Sequence, residues 1–171
     1  KFIEGRWMED AIFSIELFLE AKRMAHFKLE AHRYMVAPGT AMTSREPKHY
    51  LGVIRDNINA ALVFDPLIKR LKQDKSNPNC IKLVKARQQS FVFFSMIRMI
   101  MSAMGFDEVK SIMNKMSEIN AYPLDSFLGK DYDAFSYRIL VKLFNRKDIF
   151  YILFMFFNPF FRLKDKFLKP A

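Results

Sequence analysis

From Pro47 to Phe167 apolar residues return every three or four positions with almost no break, and that spacing commits most of the chain to α-helix. In the stretch from His49 to about Lys75, Leu51, Ile54, Ile58 and Leu62 share one stripe. Pro47 suits the first turn, where its missing N–H would be unpaired anyway. Asp65-Pro66 is expected to kink or divide this helix. Ser76-Asn77-Pro78-Asn79 reads as a loop, and a second long helix runs from about Asn79 to Met104, ended by Gly105. A shorter helix follows from Phe106 to Ile119, opened by Asp107. Ala121 to Tyr132 is irregular, with Pro123 and Gly129. Two last helices are expected near Asp133 to Asn145 and Lys147 to Phe167.

The first quarter of the chain reads differently. Asp10 to Arg23 has helical spacing, with Ile12, Ile15 and Leu19 on one row and Phe13 and Leu17 on the next. Asp10 falls at the N-terminal end, where unpaired N–H groups and the helix dipole favour a carboxylate. Met24 to Leu29 and His32 to Val36 have the composition of short strands, and Pro38-Gly39 marks a turn. The expected fold is mainly α, with one or two short strands near 24–36. Residues 1–46 form a first unit and 47–171 a helical extension that carries a basic aromatic tail over 147–169.

Composition narrows the chemistry. Of 171 residues 51% are hydrophobic, which excludes a disordered chain, and the net charge of +10 predicts attraction to anionic partners. One cysteine, Cys80, cannot form an internal disulfide, which fits a reducing compartment. His26, His32 and His49 lack metal-ligand spacing and read as structural or surface residues. Nucleic acid would suit the charge, but the basic residues are scattered between apolar runs and no binding motif appears. No initiator Met or signal peptide opens the sequence, which begins Lys1-Phe2-Ile3-Glu4-Gly5 as an excised fragment would.

Phe2-Ile3-Glu4-Gly5-Arg6-Trp7-Met8-Glu9-Asp10, followed at once by an apolar helix, resembles the acceptor-side stretch of family-2 glycosyltransferases. His32-Arg33-Tyr34 and then Pro38-Gly39-Thr40 resemble that family's tyrosine-rich strand and Gly-Thr turn. Met35, Val36 and Ala37 stand where many relatives carry an arginine. Ala121-Tyr122-Pro123-Leu124, with the Lys- and Arg-flanked aromatic tail, is similar to the C-terminal extension of bacterial enzymes that build surface polysaccharides. The resemblance implies that residues 1–46 are the end of a GT-A-type α/β domain. It implies that Asp10 is the general base and Glu9 a supporting carboxylate, with Trp7, Tyr34 and Thr40 near substrate. It further implies transfer, with inversion, from a nucleotide-sugar donor to a saccharide acceptor, expected to be lipid-linked.

In that family an Asp-x-Asp motif on the donor half holds Mg or Mn against the diphosphate. None precedes Glu9, and Asp131-Tyr132-Asp133 lies on the wrong side of the base, where it reads as a turn and helix cap. No cofactor is therefore expected in this chain, and the isolated fragment is expected to be inactive. The Gln-x-x-Arg-Trp motif of processive synthases is also lacking, so the parent is expected to add one sugar per encounter. On the residues alone, Asp10 has two roles open to it, helix cap or catalytic base.

The tail also carries two readings. Ile149 to Phe161 is nearly all apolar, broken by Asn158-Pro159, and is shorter than the about 20 residues a membrane-spanning helix needs. Arg138, Lys142, Arg146 and Lys147 precede it, and Arg162, Lys164, Lys166 and Lys169 follow. Aromatic residues so flanked suit a helix lying on an anionic membrane, with Phe150, Phe154, Phe157, Phe161, Arg162 and Lys164 in contact with lipid. They equally suit a core helix packed on its neighbours. The membrane reading places the protein on the inner face of the plasma membrane, in the cytoplasm. Phe91 to Met104, with Met and Phe at helical spacing, is expected to be core. Apolar surface left by the cut and the aromatic tail are expected to promote self-association.

Overall fold

A computed structural model describes residues 9–23, 25, 47–129 and 132–167. They form six helices: α1 (Glu9–Glu20), α2 (Pro47–Gln73), α3 (Pro78–Ile100), α4 (Phe106–Glu118), α5 (Phe135–Phe144) and α6 (Lys147–Phe167). The fold is mainly α, and the described residues contain no strand beyond an isolated bridge between Gly129 and Tyr132. The two short strands expected near 24–36 fall outside the described residues.

The second half of α3, from Ser90 to Ile100, is apolar on nearly every side, and a helix segment of that kind has to be enclosed. Val84, Phe91, Val92, Phe93, Met96 and Met99 are all buried. The most extensive packing is between α2 and α3, a helical hairpin joined by residues 74–77. The turn is built by local chemistry. Lys75 takes a left-handed backbone (φ 52°), the Asn77 side chain accepts from the Asn79 N–H at 2.9 Å, and Pro78 opens α3. Helix α6 packs on another side of α3, α5 leans on α6, and α1 and α4 both pack on α2. Phe93 is the centre of an aromatic cluster, stacked on Phe127 at 4.3 Å with Tyr137 and Phe144 at its edges.

Several boundaries differ from those read in the sequence. Helix α2 runs unbroken through Pro66, because Phe64 on one side of it and Ile68 and Leu71 on the other are all buried in one core. Packing of that face outweighs the lost hydrogen bond. Gly105 does not end α3. The helix stops at Ile100 with Met101 as its cap, and Gly105 is the residue from which α4 starts. Asp107 lies inside the first turn of α4 with Glu108, rather than at its cap. Asp133 does not cap α5 either: Ala134 holds that position, and Asp133 pairs with Arg138 at 2.6 Å.

Buried polar side chains hold the irregular parts in place. Helix α3 ends against α6, and the last carbonyls of any helix have no partner within it. The Asn158 amide of α6 answers three at that end, with its nitrogen 3.3 Å from Met99 O, 3.2 Å from Ile100 O and 2.6 Å from Ser102 O. Gln88 donates to Ala61 O at 2.9 Å and ties α3 to α2. Gln89 donates to Pro123 O and accepts from Ser126 N–H, both at 2.7 Å. The same loop, which contains the cis Tyr122-Pro123 bond, is held from the far side as Leu124 N–H donates to Asn145 Oδ1 at 2.7 Å and Tyr122 OH donates to Phe144 O at 2.9 Å. Lys85 donates to the Asn120 carbonyl, just past α4.

Two outcomes are expected. Asn158→Ala removes the donor that the Ile100 and Ser102 carbonyls accept from, while Met99 O still accepts from Ser102, so it should lower the unfolding free energy by about 1–3 kcal/mol, read from urea melts. Burial, with smaller contributions from Tyr151 and Asp148, pushes the Tyr122 hydroxyl up to about 12 from its ordinary 10.0. The folded state therefore keeps that proton where the unfolded chain has lost it. The associated stability is complete below pH 10 and is lost as pH rises from about 10 to 12. Tyr122→Phe should flatten part of that alkaline fall in melting temperature. Part should remain, because burial also raises Tyr151.

Candidate functional site

Asp10 stands in the first turn of α1. Its side chain is exposed, and its Oδ1 accepts from the Ala11 N–H at 2.8 Å. The carboxylate is thus held by a free N–H group of the helix start. Glu9 opens the helix; its side chain, and the candidate substrate residues Trp7, Tyr34 and Thr40, lie outside what is described.

The helix beneath Asp10 is anchored at its other end. Ile12, Ile15 and Leu19 pack against the core, as the helical spacing requires, and Glu20 Oε1 meets Arg70 Nη2 of α2 at 3.1 Å. Leu17 and Phe18 point away from the core. Between α1 and α3 an apolar cleft of about 240 Å³ is lined by Ile15, Phe18, Leu19, Cys80, Leu83 and Val84. Cys80 is half-buried in this wall and has no histidine in the lining, so it reads as a packing thiol. A carboxylate at an exposed helix start can accept a proton from a hydroxyl presented to it.

No three His, Cys, Asp or Glu side chains come together as a metal site among the described residues. Of Asp131-Tyr132-Asp133, Asp131 is outside the described residues and Asp133 is engaged by Arg138.

The second candidate surface is α6, and here the structure corrects the expected contact set. Phe150 and Phe154 are buried: Phe150 packs on Phe144 at 5.4 Å and Phe154 on Phe106 at 6.2 Å. They cannot meet lipid without unpacking the core. Phe157 is partly exposed, Phe161 half-buried and Arg162 exposed; the Lys164 side chain is not described. The outward side is formed instead by Ile152, Met155, Phe156, Phe160 and Leu163, each more than half exposed. Positions 152, 156, 160 and 163 recur at helical spacing, and the sequence already carried that signal. It was masked because α6 is aromatic on almost every face. Helix α6 is not long and apolar enough to cross a membrane, and neither is any other helix among the described residues.

In comparisons with protein-family models, curated proteins and solved structures, nothing matches the chain.

Asp10→Ala should cost only about 0.5 kcal/mol, the worth of an exposed carboxylate at a helix start. In this chain the urea midpoint should hardly move and α1 should stay docked, so any loss of activity in a longer chain can be assigned to chemistry.

Proposed function

We propose that the chain is the C-terminal portion of an inverting family-2 glycosyltransferase and that Asp10 is its general base. The observation that carries this reading is an exposed carboxylate at the start of an apolar helix, within the lead-in Trp7-Met8-Glu9-Asp10. An acceptor hydroxyl oxygen bonds to the anomeric carbon as the bond to the nucleotide diphosphate breaks on the opposite face. The hydroxyl proton passes to the Asp10 carboxylate. Glu9 is the supporting carboxylate of this reading. Residues 47–171 serve as a helical base on which α1 is seated, and the expected acceptor is a lipid-linked saccharide.

The donor half of such an enzyme precedes this stretch. The divalent cation expected at its diphosphate is not suited to the described residues, which offer no donor set for it. Proton transfer at Asp10 needs none of that cation's ligands.

In the longer chain that includes the donor half, Asp10→Asn should lower sugar transfer by about 10²–10⁴-fold while the far-UV circular dichroism stays unchanged. Transfer at the native rate would overturn the assignment of the base. A second reading, a helical module that binds a surface or partner, is favoured by the outward face of α6.

A further inference from the structure

Helix α6 turns one side into the core and leaves the opposite side uncovered. Phe150, Phe154 and Asn158 fix the inner side. Ile152, Met155, Phe156, Phe160 and Leu163 run along the outer one, over about 17 Å at the helical rise per residue. The Phe156 ring lies 5.1 Å from Phe157 and 5.8 Å from Phe160, so the middle of the stripe is a connected aromatic patch rather than scattered rings. A patch of this kind is seldom left to water.

Charge decides between its possible occupants. The chain carries +10, which sets two copies against each other and favours an anionic surface. Arg162 is exposed at the C-terminal end of the stripe, and Lys164, Asp165 and Lys166 follow in the same helix, so that this end stays net basic. Lys142 and Arg146, also exposed, precede α6 in sequence. Arg138 is less available, being paired with Asp133. Asp148 is exposed in the first turn of α6, one turn before Ile152. The stripe is thus apolar along its length and basic towards its end. It belongs to one convex helix rather than to a groove, and α6 is not long and apolar enough to cross a bilayer. This is the pattern of a helix that lies in the headgroup layer with its apolar side sunk toward the acyl chains.

We propose that the outer side of α6, from Ile152 to Leu163, docks this protein on the surface of an anionic lipid bilayer. Phe156 and Phe160 are the inserting residues, and Arg162 contacts lipid phosphate. The assignment stands independently of the glycosyltransferase reading, since lipid binding needs neither Asp10 nor a donor.

Flotation of the whole chain tests it, with vesicles of phosphatidylcholine alone and of phosphatidylcholine mixed with phosphatidylglycerol. The protein should float with the mixed vesicles, far less with the neutral ones, and partly detach in high salt. Phe156→Ser with Phe160→Ser should reduce the bound fraction by about tenfold or more, since both rings would lose their burial in lipid. Both side chains are exposed, so the helical spectrum should persist; Ile152→Asp, elsewhere on the stripe, is a second variant should the first unfold. Phe135→Ser, on a largely exposed residue of α5, should leave flotation as it is. Equal flotation on neutral vesicles would overturn the anionic assignment. Native flotation by a folded stripe variant would overturn the surface. So would a native dimer that the stripe variant dissociates in the absence of any lipid binding, which would make a second copy the occupant.

Discussion

Enclosure of α3 is the constraint on which the rest of this structure depends. A helix whose residues from Gln88 to Phe93 are all buried cannot stand beside a single neighbour. It needs α2 on one side and α6 on another, and the loop after α4 closes over Phe93 through Phe127. Enclosure also leaves the buried polar groups of α3 to find partners within the protein; Gln88 Oε1 and Ser95 Oγ find none, whereas both glutamine amide nitrogens do. Gln88 and Gln89 show the result. One amide ties α3 to the α2 backbone, and the other shapes the loop from Pro123 to Ser126 by giving and accepting hydrogen bonds at once. The irregular segment is therefore ordered by a helix rather than by its own turn residues.

The two surfaces proposed to act are carried by this hairpin of α2 and α3. Helix α1, which presents Asp10, is seated on α2 by its apolar row and by the contact between Glu20 and Arg70. Helix α6, which presents the aromatic stripe, is seated on α3. Neither surface is itself part of the central core. Their exposed residues can thus vary at little cost in stability, whereas changes in α3 would disturb both supports.

How much of this could be read in the sequence follows from what periodicity measures. Apolar spacing reports which stretches are helical, and all six helices lie close to where it placed them. It does not report which neighbour covers which face. Phe150 and Phe156 look alike in the sequence of α6, yet one is buried and the other is open to solvent. Pro66 was read by local rules as a kink or a division and Gly105 as a helix end; a core spanning Pro66 keeps α2 undivided, and Gly105 begins a helix instead of ending one. The pairing of Asn158 with carbonyls 56 to 59 positions earlier has no local signature at all. Of the candidate site, Asp10 was legible because a carboxylate before an apolar row marks a helix start. Trp7, Tyr34 and Thr40 lie beyond the described residues, and the resemblance that names them rests on sequence alone.

The hold of Asn158 on the end of α3 also sets an angle. Hydrophobicity chooses weakly among the orientations of α6, since a roll about its axis would replace one phenylalanine by another. An amide that must meet carbonyls at one place removes this freedom. Turning the helix by a single residue, about 100°, would carry the amide away from its acceptors and leave a buried amide without partners. Asn158 thus acts as an index mark. It fixes which aromatic rings are spent inside and which are left to meet whatever surface the molecule rests on.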